Sequence, residues 1–363
     1  MKLFYWLFFF AFGFLNVLAE SFNADSKALF ENKNIMILGG TGFLGKGIAA
    51  QVIKYNPKKI VIFSRDEFKQ FNVAKMFDFN PKIKFVIGDI RDAEQLMRAM
   101  KDIDIVFHTA ALKRMDALED NVEQAIKTNV TASMNVFNAC ATNQVKQVIF
   151  ISTDKACSPV NAYGAAKFLS EKLFNNYDRT LVTTKFYCVR FGNILDSTGS
   201  IIPIFTDKIK KGEDLTLTDP RMTRFIVTKE EAFELMCDVL RYGVGGEIFI
   251  RKLSSAKVTD VIDVLKTHFK ANNSVKVTGL RPGEKFHEEL LNRPEISHTY
   301  EFRNYYVITP MIKSWLPSLT QEPIYIKEGR LLNEKIMTGF ASDQALLNQE
   351  QLTKVLENAG LFH

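Results

Sequence analysis

A phenol and an ammonium stand four residues apart in Tyr163-Gly164-Ala165-Ala166-Lys167. On a helix that spacing places both side chains on one face. A free phenol, with a pKa near 10, is a poor base at neutral pH, and a nearby cation lowers that value. Beside a hydride acceptor, such a pair removes a hydroxyl proton while hydride leaves the same carbon. Eight residues before Tyr163, Ser152-Thr153-Asp154-Lys155-Ala156 sets a carboxyl next to an amine. Spacing alone leaves two equal readings of that pair: an acid–base couple, or a helix cap (Ser152 or Asp154) with a solvated lysine.

The hydride acceptor is signalled by Gly39-Gly40-Thr41-Gly42-Phe43-Leu44-Gly45, which follows a short apolar run and opens a helical stretch. Glycines 39, 42 and 45 let the backbone turn tightly and approach a pyrophosphate at a helix N-terminus. A P-loop is excluded, because Gly40 to Lys46 fits its spacing but Gly47 stands where the magnesium-binding hydroxyl belongs. After the second apolar run come Ser64, Arg65 and, one turn on, Lys69. A hydroxyl and two cations suit the 2′-phosphate of NADP better than the bare ribose of NAD. Asp89 in Gly88-Asp89-Ile90-Arg91-Asp92 either meets the adenine amino group or caps the next helix.

Stepping outward, these residues require a frame. Short apolar runs at Ile35–Leu38, Ile60–Phe63, Lys84–Ile87, Ile103–Phe107 and Val148–Ile151 alternate with helical patterns, the first over Phe43 to Tyr55. Continuous apolar strands between helices imply a parallel sheet covered on both faces. The fold class expected is therefore α/β, a Rossmann-type doubly wound sheet with a smaller C-terminal substrate-binding region. The domain expectations are a hydrophobic segment and connector at 1–30, an NADP-binding domain at 31–190, a substrate region at 191–310 and a tail at 311–363 packed on the core. A last helix is expected over Asp343 to Gly360.

The chain has 363 residues, 47% hydrophobic and 24% charged, which excludes a disordered, collagen-like or polytopic membrane protein. Its net charge of +6 is spread without long basic runs, so no nucleic-acid partner is expected. Cys140, Cys157, Cys188 and Cys237 form no C-x-x-C pair, which argues against zinc and for buried thiols. His287-Glu288-Glu289 lacks the second histidine of a metal motif and reads as structural. No metal is expected. Asn129 and Asn272 begin glycosylation sequons, which carry meaning only in a secreted chain.

Taken together these segments resemble an extended short-chain dehydrogenase/reductase. More narrowly they resemble the inverting UDP-N-acetylglucosamine 4,6-dehydratases of the pseudaminic acid pathway, within the CapD-like polysaccharide biosynthesis proteins. The matching stretches are GGTGFLGKG, FSRDEFKQ, IGDIRD, HTAALK, IKTNV, ISTDKACSPVNAYGAAK, VRFGNIL, GSIIPIF, TDPRMTRF, GGEIF and GLRPGEKFHEEL, in the family's order from about residue 32 to 310. The resemblance implies that Tyr163, assisted by Lys167, takes the C4 hydroxyl proton of a UDP-sugar. It implies that Lys155, its pKa depressed by burial and positive neighbours, takes the C5 proton, and that a protonated Asp154 serves the departing C6 hydroxyl. It adds Thr41, Phe43, Leu44, Ile90, Ala110 and Ser152 to the cofactor contacts, with Asn129 beneath. For the nucleotide sugar it points to Thr109, Lys113, Asn193, Arg224 in preference to Arg221, Arg281 and Glu284. Thr109 departs from the alanine that relatives often carry.

Retaining dehydratases resemble this chain but carry Asp-Glu where it has Asp154-Lys155. A nucleotide-sugar 4-epimerase is the second alternative, and a non-catalytic dinucleotide-binding protein the third. The resemblance also implies a homo-oligomer and a cytoplasmic enzyme. The first twenty residues, with Lys2 before an apolar stretch from Leu3 to Leu18, read best as a signal peptide. An interfacial anchor making a peripheral membrane contact is the second reading, and an added segment without function the third.

Overall fold

The computed structural model describes residues 25–177, 183–197, 199–311, 319 and 321–362. The apolar stretch at Leu3–Leu18, with the signal-peptide and anchor readings attached to it, lies outside them. Among the described residues no helix is long and apolar enough to cross a membrane.

Each of the five apolar runs becomes a strand: β1 (Asn34–Leu38), β2 (Lys59–Ser64), β3 (Ile83–Ile87), β4 (Ile105–His108) and β5 (Gln147–Ile151), and β6 (Lys185–Arg190) follows them. They pair in parallel in the order β3-β2-β1-β4-β5-β6, with Ile35 opposite both Ile60 and Ile105. Helices cover both faces, so Ile35, Met36, Ile37 and Leu38 are all fully buried. Period-two alternation is therefore absent from β1. From beyond residue 190, β10 (Ile248–Arg251) joins β6 in parallel, and β15 (Tyr305–Ile308), β14 (Thr299–Phe302) and β16 (Arg330–Leu331) continue the same sheet antiparallel.

Smaller sheets stand over the strand ends. β7 (Asn193–Ile194), β9 (Thr223–Val227) and β11 (Ser255–Lys257) form one, β8 (Leu215–Leu217) pairs with β12 (Val275–Val277), and β13 (Glu289–Leu291) pairs with β17 (Phe340–Ala341). A second apolar cluster, with Phe205, Leu215, Leu265, Leu352 and Leu356, fills this part. The last helix runs Gln349–Asn358, shorter than the stretch expected from the sequence. Asn348 accepts from the Gln351 amide and Gln351 returns a bond to the Asn348 amide, so this reciprocal cap sets the start. All four cysteines are free and buried.

One deep ionic cluster ties the two parts together. Arg190, at the end of β6, is fully buried and forks onto Glu171 at 3.1 and 2.6 Å. Nη1 and Nη2 also donate to the two Glu295 oxygens at 3.0 Å each, and Nη1 to the Leu290 carbonyl at 2.8 Å. Glu171 lies on the Ala162–Tyr177 helix, spaced four and eight residues after Lys167 and Tyr163, and therefore on their face.

Candidate active site

The helix carrying Tyr163 and Lys167 is fixed at its first turn from outside. Asn161 Oδ1 accepts from the Gly164 amide at 2.7 Å, and Glu119 Oε1 accepts from the Ala162 amide at 2.6 Å. The Asn161 amide nitrogen donates to the Gly283 carbonyl at 2.9 Å, joining the helix to the Arg281–Glu284 turn. Gly164 lies so close to the loop before it that a Cβ there would stand 2.2 Å from the Lys155 carbonyl oxygen. Gly164→Ala must therefore push the helix away from Lys155. We expect it to lower turnover at least tenfold, since small misplacements of reacting groups are costly. Unchanged turnover in a folded G164A variant would show that this spacing is not used.

At the tip of β5 the structure does not support the reading of a cap with a solvated lysine. Thr153 and not Ser152 or Asp154 caps the short Asp154–Ala156 turn. Asp154 and Lys155 contact each other: Lys155 Nζ donates to Asp154 Oδ1 at 2.9 Å, and Thr153 Oγ1 donates to the same oxygen at 2.8 Å. The Lys155 side chain is only 13% exposed. A second carboxylate, Glu288, stands 3.3 Å from the ammonium, and the Arg224 guanidinium is 3.9 Å from Glu288. Asp154 Oδ2 and Glu288 Oε2 are both buried without a hydrogen-bond partner, a costly arrangement for two carboxylates.

This cluster corrects the expected state of Lys155. Burial and Arg224 do lower its pKa, but Asp154 and Glu288 outweigh them and hold it above the ordinary lysine value. Glu288 was read from the sequence as structural. The segment RPGEKFHE did contain it, but nothing in local spacing shows that a residue 133 positions later meets Lys155. Removing this charge with Glu288→Gln should let Lys155 shed its proton at lower pH. The pH profile of C5 proton exchange should then move to lower pH, and an unmoved profile would exclude Glu288 from control of that proton.

Tyr163 is half-buried, and burial pushes its phenol up to about 12. The opposing, lowering influences are the Lys155 ammonium and a hydrogen bond with Thr153, where the sequence pointed to Lys167. Lys167 is buried, with Nζ donating to the Ile151 carbonyl at 2.5 Å and lying 3.9 Å from the centre of the Phe150 ring. Burial brings its own pKa down to about 7. His108, at the end of β4, is buried and pushed down to about 3 by burial and then by Lys167.

The glycine turn forms the other half of the site. Gly39 has φ of 77°, and a Cβ there would meet the Ala110 backbone at 2.8 Å. The Phe43–Val52 helix starts at Gly42 with no side-chain cap and no acidic residue in its first turn. Its first amides, from Phe43 and Leu44 onward, are thus open to an anion, with Thr41 and Gly45 in the same turn. This fits a dinucleotide pyrophosphate. At the end of β2, Ser64 is nearly buried and its Oγ accepts from Gln70 at 3.0 Å. Arg65 is 56% exposed and 3.8 Å from Asp89, while Lys69 is 3.3 Å from Asp66. Asp66 caps the following helix.

Asp89 does not cap the helix after it, because Asp92 takes that role with its oxygen on the Gln95 amide. Asp89 instead accepts from the Arg91 guanidinium, which holds its carboxyl below the usual range. Ile90 is buried beside it, and Ser152 is buried with an unpartnered Oγ. Asn129 is buried as expected, but its amide grips the main chain of Leu112 at 2.8 Å in both directions. It sits in a π-turn over Ile126–Thr131, a distortion that often marks functional sites.

The candidates for the sugar nucleotide are less uniform. Asn193 and Arg224 line one pocket with Ser200, whose Oγ is buried and unpartnered. Arg221 is exposed and held by Asp219 at 2.9 Å, so Arg224 is the arginine turned inward. Thr109 uses its hydroxyl on the Leu38 carbonyl at 2.7 Å, beside the glycine turn. Lys113 is exposed, and Arg281 and Glu284 form a turn through the Arg281 amide and the Glu284 carboxylate at 3.2 Å. Among the described residues no His, Cys, Asp and Glu are grouped to hold a metal ion.

A doubly wound sheet with a glycine turn after β1 and a Tyr-x-x-x-Lys helix after β5 defines an extended short-chain dehydrogenase/reductase. Within that class the chain belongs to the polysaccharide biosynthesis protein family, whose model matches residues 35–310. It is 44% identical over 290 residues to a UDP-N-acetylglucosamine 4,6-dehydratase (inverting) of Campylobacter jejuni, covering 78% of this chain and 85% of that one. It is 40% identical to a UDP-glucose 4-epimerase of Rickettsia bellii over 77% of this chain and 84% of that one. The X-ray structure of Pen from Bacillus thuringiensis matches with a TM-score of 0.84 at 35% identity, covering 92% of this chain and 99% of that one.

Proposed function

We propose that the protein is a C5-inverting UDP-N-acetylglucosamine 4,6-dehydratase. It oxidises C4, eliminates water across C5 and C6, and returns hydride to C6, yielding a UDP-4-keto-6-deoxy sugar for nonulosonic (pseudaminic) acid or surface polysaccharide. The observation that carries this reading is the buried contact of Asp154 with Lys155 at 2.9 Å, beside Tyr163. A 4-epimerase needs no acid–base pair for C5 and C6. The 44% identity to an inverting dehydratase supports the same choice.

NADP, when bound, supplies the hydride acceptor and later the hydride donor. The glycine turn, the uncapped helix start, Ala110, Ile90 and Ser152 would hold it, with Ser64, Arg65 and Lys69 at the 2′-phosphate. Tyr163 removes the C4 hydroxyl proton, with Lys155 and Thr153 easing the ionisation of its phenol. Lys155 removes the C5 proton that the new ketone has acidified. For this the ammonium first passes a proton to its paired carboxylate Asp154, which then delivers it to the departing C6 hydroxyl. A solvent-exchangeable proton delivered to C5 on the face opposite Lys155 inverts that centre. Arg224 and Arg281 serve the diphosphate, and Asn193, Lys113, Thr109 and Glu284 position the rest of the substrate.

The preference for NADP has its own test. Arg65→Ala should weaken NADP binding about tenfold to a hundredfold while leaving NAD binding nearly unchanged, the loss of one charge-assisted contact. Equal effects on both cofactors would remove Arg65 from the 2′-phosphate site. The reaction class is tested by mass spectrometry of UDP-N-acetylglucosamine incubated with the enzyme. A product lighter by one water supports the dehydratase, and an isomer of unchanged mass would make the protein an epimerase.

A further inference from the structure

The catalytic groups sit where the parallel strands end, and the opposite end of the sheet has its own chemistry. There the first residues of the strands surround a concavity of about 670 Å³. Its wall carries Lys58, Lys59, Lys82, Lys84 and Lys146 against only Asp102 and Asp104. Lys146 pairs with Asp104 at 3.0 Å, whereas Lys58, Lys59 and Lys84 make no ion pair among the described residues. An excess of cations facing one cavity seeks anions.

Beside the lysines stands an apolar group in water. The Glu67–Met76 helix runs back toward the start of β3, and Met76 and Phe79 are 54% and 62% exposed. Phe79 packs on Phe71, itself half exposed, with ring centres 6.1 Å apart, and Lys75 lies 4.5 Å from the Phe71 centroid. Phe79 leads through Asn80 and Pro81 directly into Lys82, so the aromatic group and the basic wall are contiguous.

The chain also enters the fold at this end. Ser26 is buried and accepts from Arg241 at 2.9 Å, while the neighbouring Leu240 carbonyl accepts from Gln147, the first residue of β5. The Lys33 carbonyl accepts from the Lys58 amide at 2.9 Å, and Asn34 opens β1 on the rim of the concavity. The first described residues, from Asp25 to Lys33, thus meet the sheet at the same end as the lysines.

We propose that this end of the sheet is a docking surface for an anionic lipid bilayer. Phe79, Phe71 and Met76 enter the boundary between headgroups and acyl chains, and the lysines stretch their stems beside them to meet anionic headgroups. Either signal alone binds a membrane weakly, and apolar insertion combined with a basic patch binds it firmly. The surface turns the catalytic end away from the bilayer, open to a soluble nucleotide sugar.

The test uses the full chain and vesicles of phosphatidylcholine, with or without phosphatidylglycerol, read by co-sedimentation. Binding should require phosphatidylglycerol and weaken as salt rises. Lys58→Gln, Lys59→Gln and Lys84→Gln combined should reduce the partition coefficient about a hundredfold, given roughly fivefold per basic residue. Phe79→Ser should reduce it as well, with turnover unchanged in both variants. Equal binding to uncharged vesicles, no binding to either, or undiminished binding of the triple variant would each overturn the proposal.

Discussion

Lys155→Met should divide the reaction into a half that runs and a half that stops. Methionine keeps most of the volume and loses the amine. Tyr163 stays in place but loses the ammonium that eases its ionisation, so proton removal at the C4 hydroxyl should slow only modestly, whereas exchange of the C5 proton should fall about 10²–10⁴-fold. The same change leaves Asp154 and Glu288 buried without the cation they share at 2.9 and 3.3 Å. Breaking a buried pair in this way costs about 3–5 kcal/mol, so the melting curve must be recorded beside the rate. Single-turnover measurements on the folded fraction separate the two effects. An equal fall in C4 oxidation and C5 exchange would mean that Lys155 organises the whole site and does not act at C5.

The second large effect concerns stability. Arg190→Met should destabilise the fold by about 3–5 kcal/mol, because it strands Glu171 and Glu295 in a dry interior. The geometry is demanding: Arg190 and Glu171 are fully buried, and four of the contacts lie between 2.6 and 3.1 Å. Denaturant unfolding reads the loss as a lower midpoint. Arg190→Met with Glu171→Gln should recover part of it, since one uncompensated charge disappears. The cluster also sits behind Tyr163 and Lys167 on the same helix face, so the single variant should lose turnover through displacement of that helix. A midpoint equal to that of the native chain would show that the cluster contributes specificity of packing without net stability.

The parts of this molecule that local sequence could reveal are those that depend on neighbours in the chain. The apolar runs of β1 to β5 were visible because a strand buried on both faces has no polar alternation to hide it. The glycine turn was visible because tight approach to a phosphate demands that residue at that spacing. The Tyr163–Lys167 pair was visible because helical periodicity is local.

What spacing did not reveal is long-range. Glu288 meets Lys155, Arg190 meets Glu171 and Glu295, and Asn161 meets Gly283, all through folding of the second half onto the first. The sequence implies a lowered Lys155 pKa because it shows burial and reads Asp154 as protonated, whereas the second carboxylate, Glu288, arrives only through folding. Asp89 was weighed as a helix cap, yet Asp92 three residues on has the geometry for it. The continuation of the sheet through β10, β15 and β14 escaped notice because short strands among Pro and Gly turns resemble irregular chain.

The account stands or falls on what happens at C5 and C6. The direct measurement is proton NMR of the full-length enzyme with UDP-N-acetylglucosamine in D2O. It should show a new C6 methyl signal, deuterium at C5 and an L-arabino coupling pattern. A methyl signal with the D-xylo pattern would contradict inversion by Lys155, and a shifted C4 signal without any methyl would contradict the dehydratase itself.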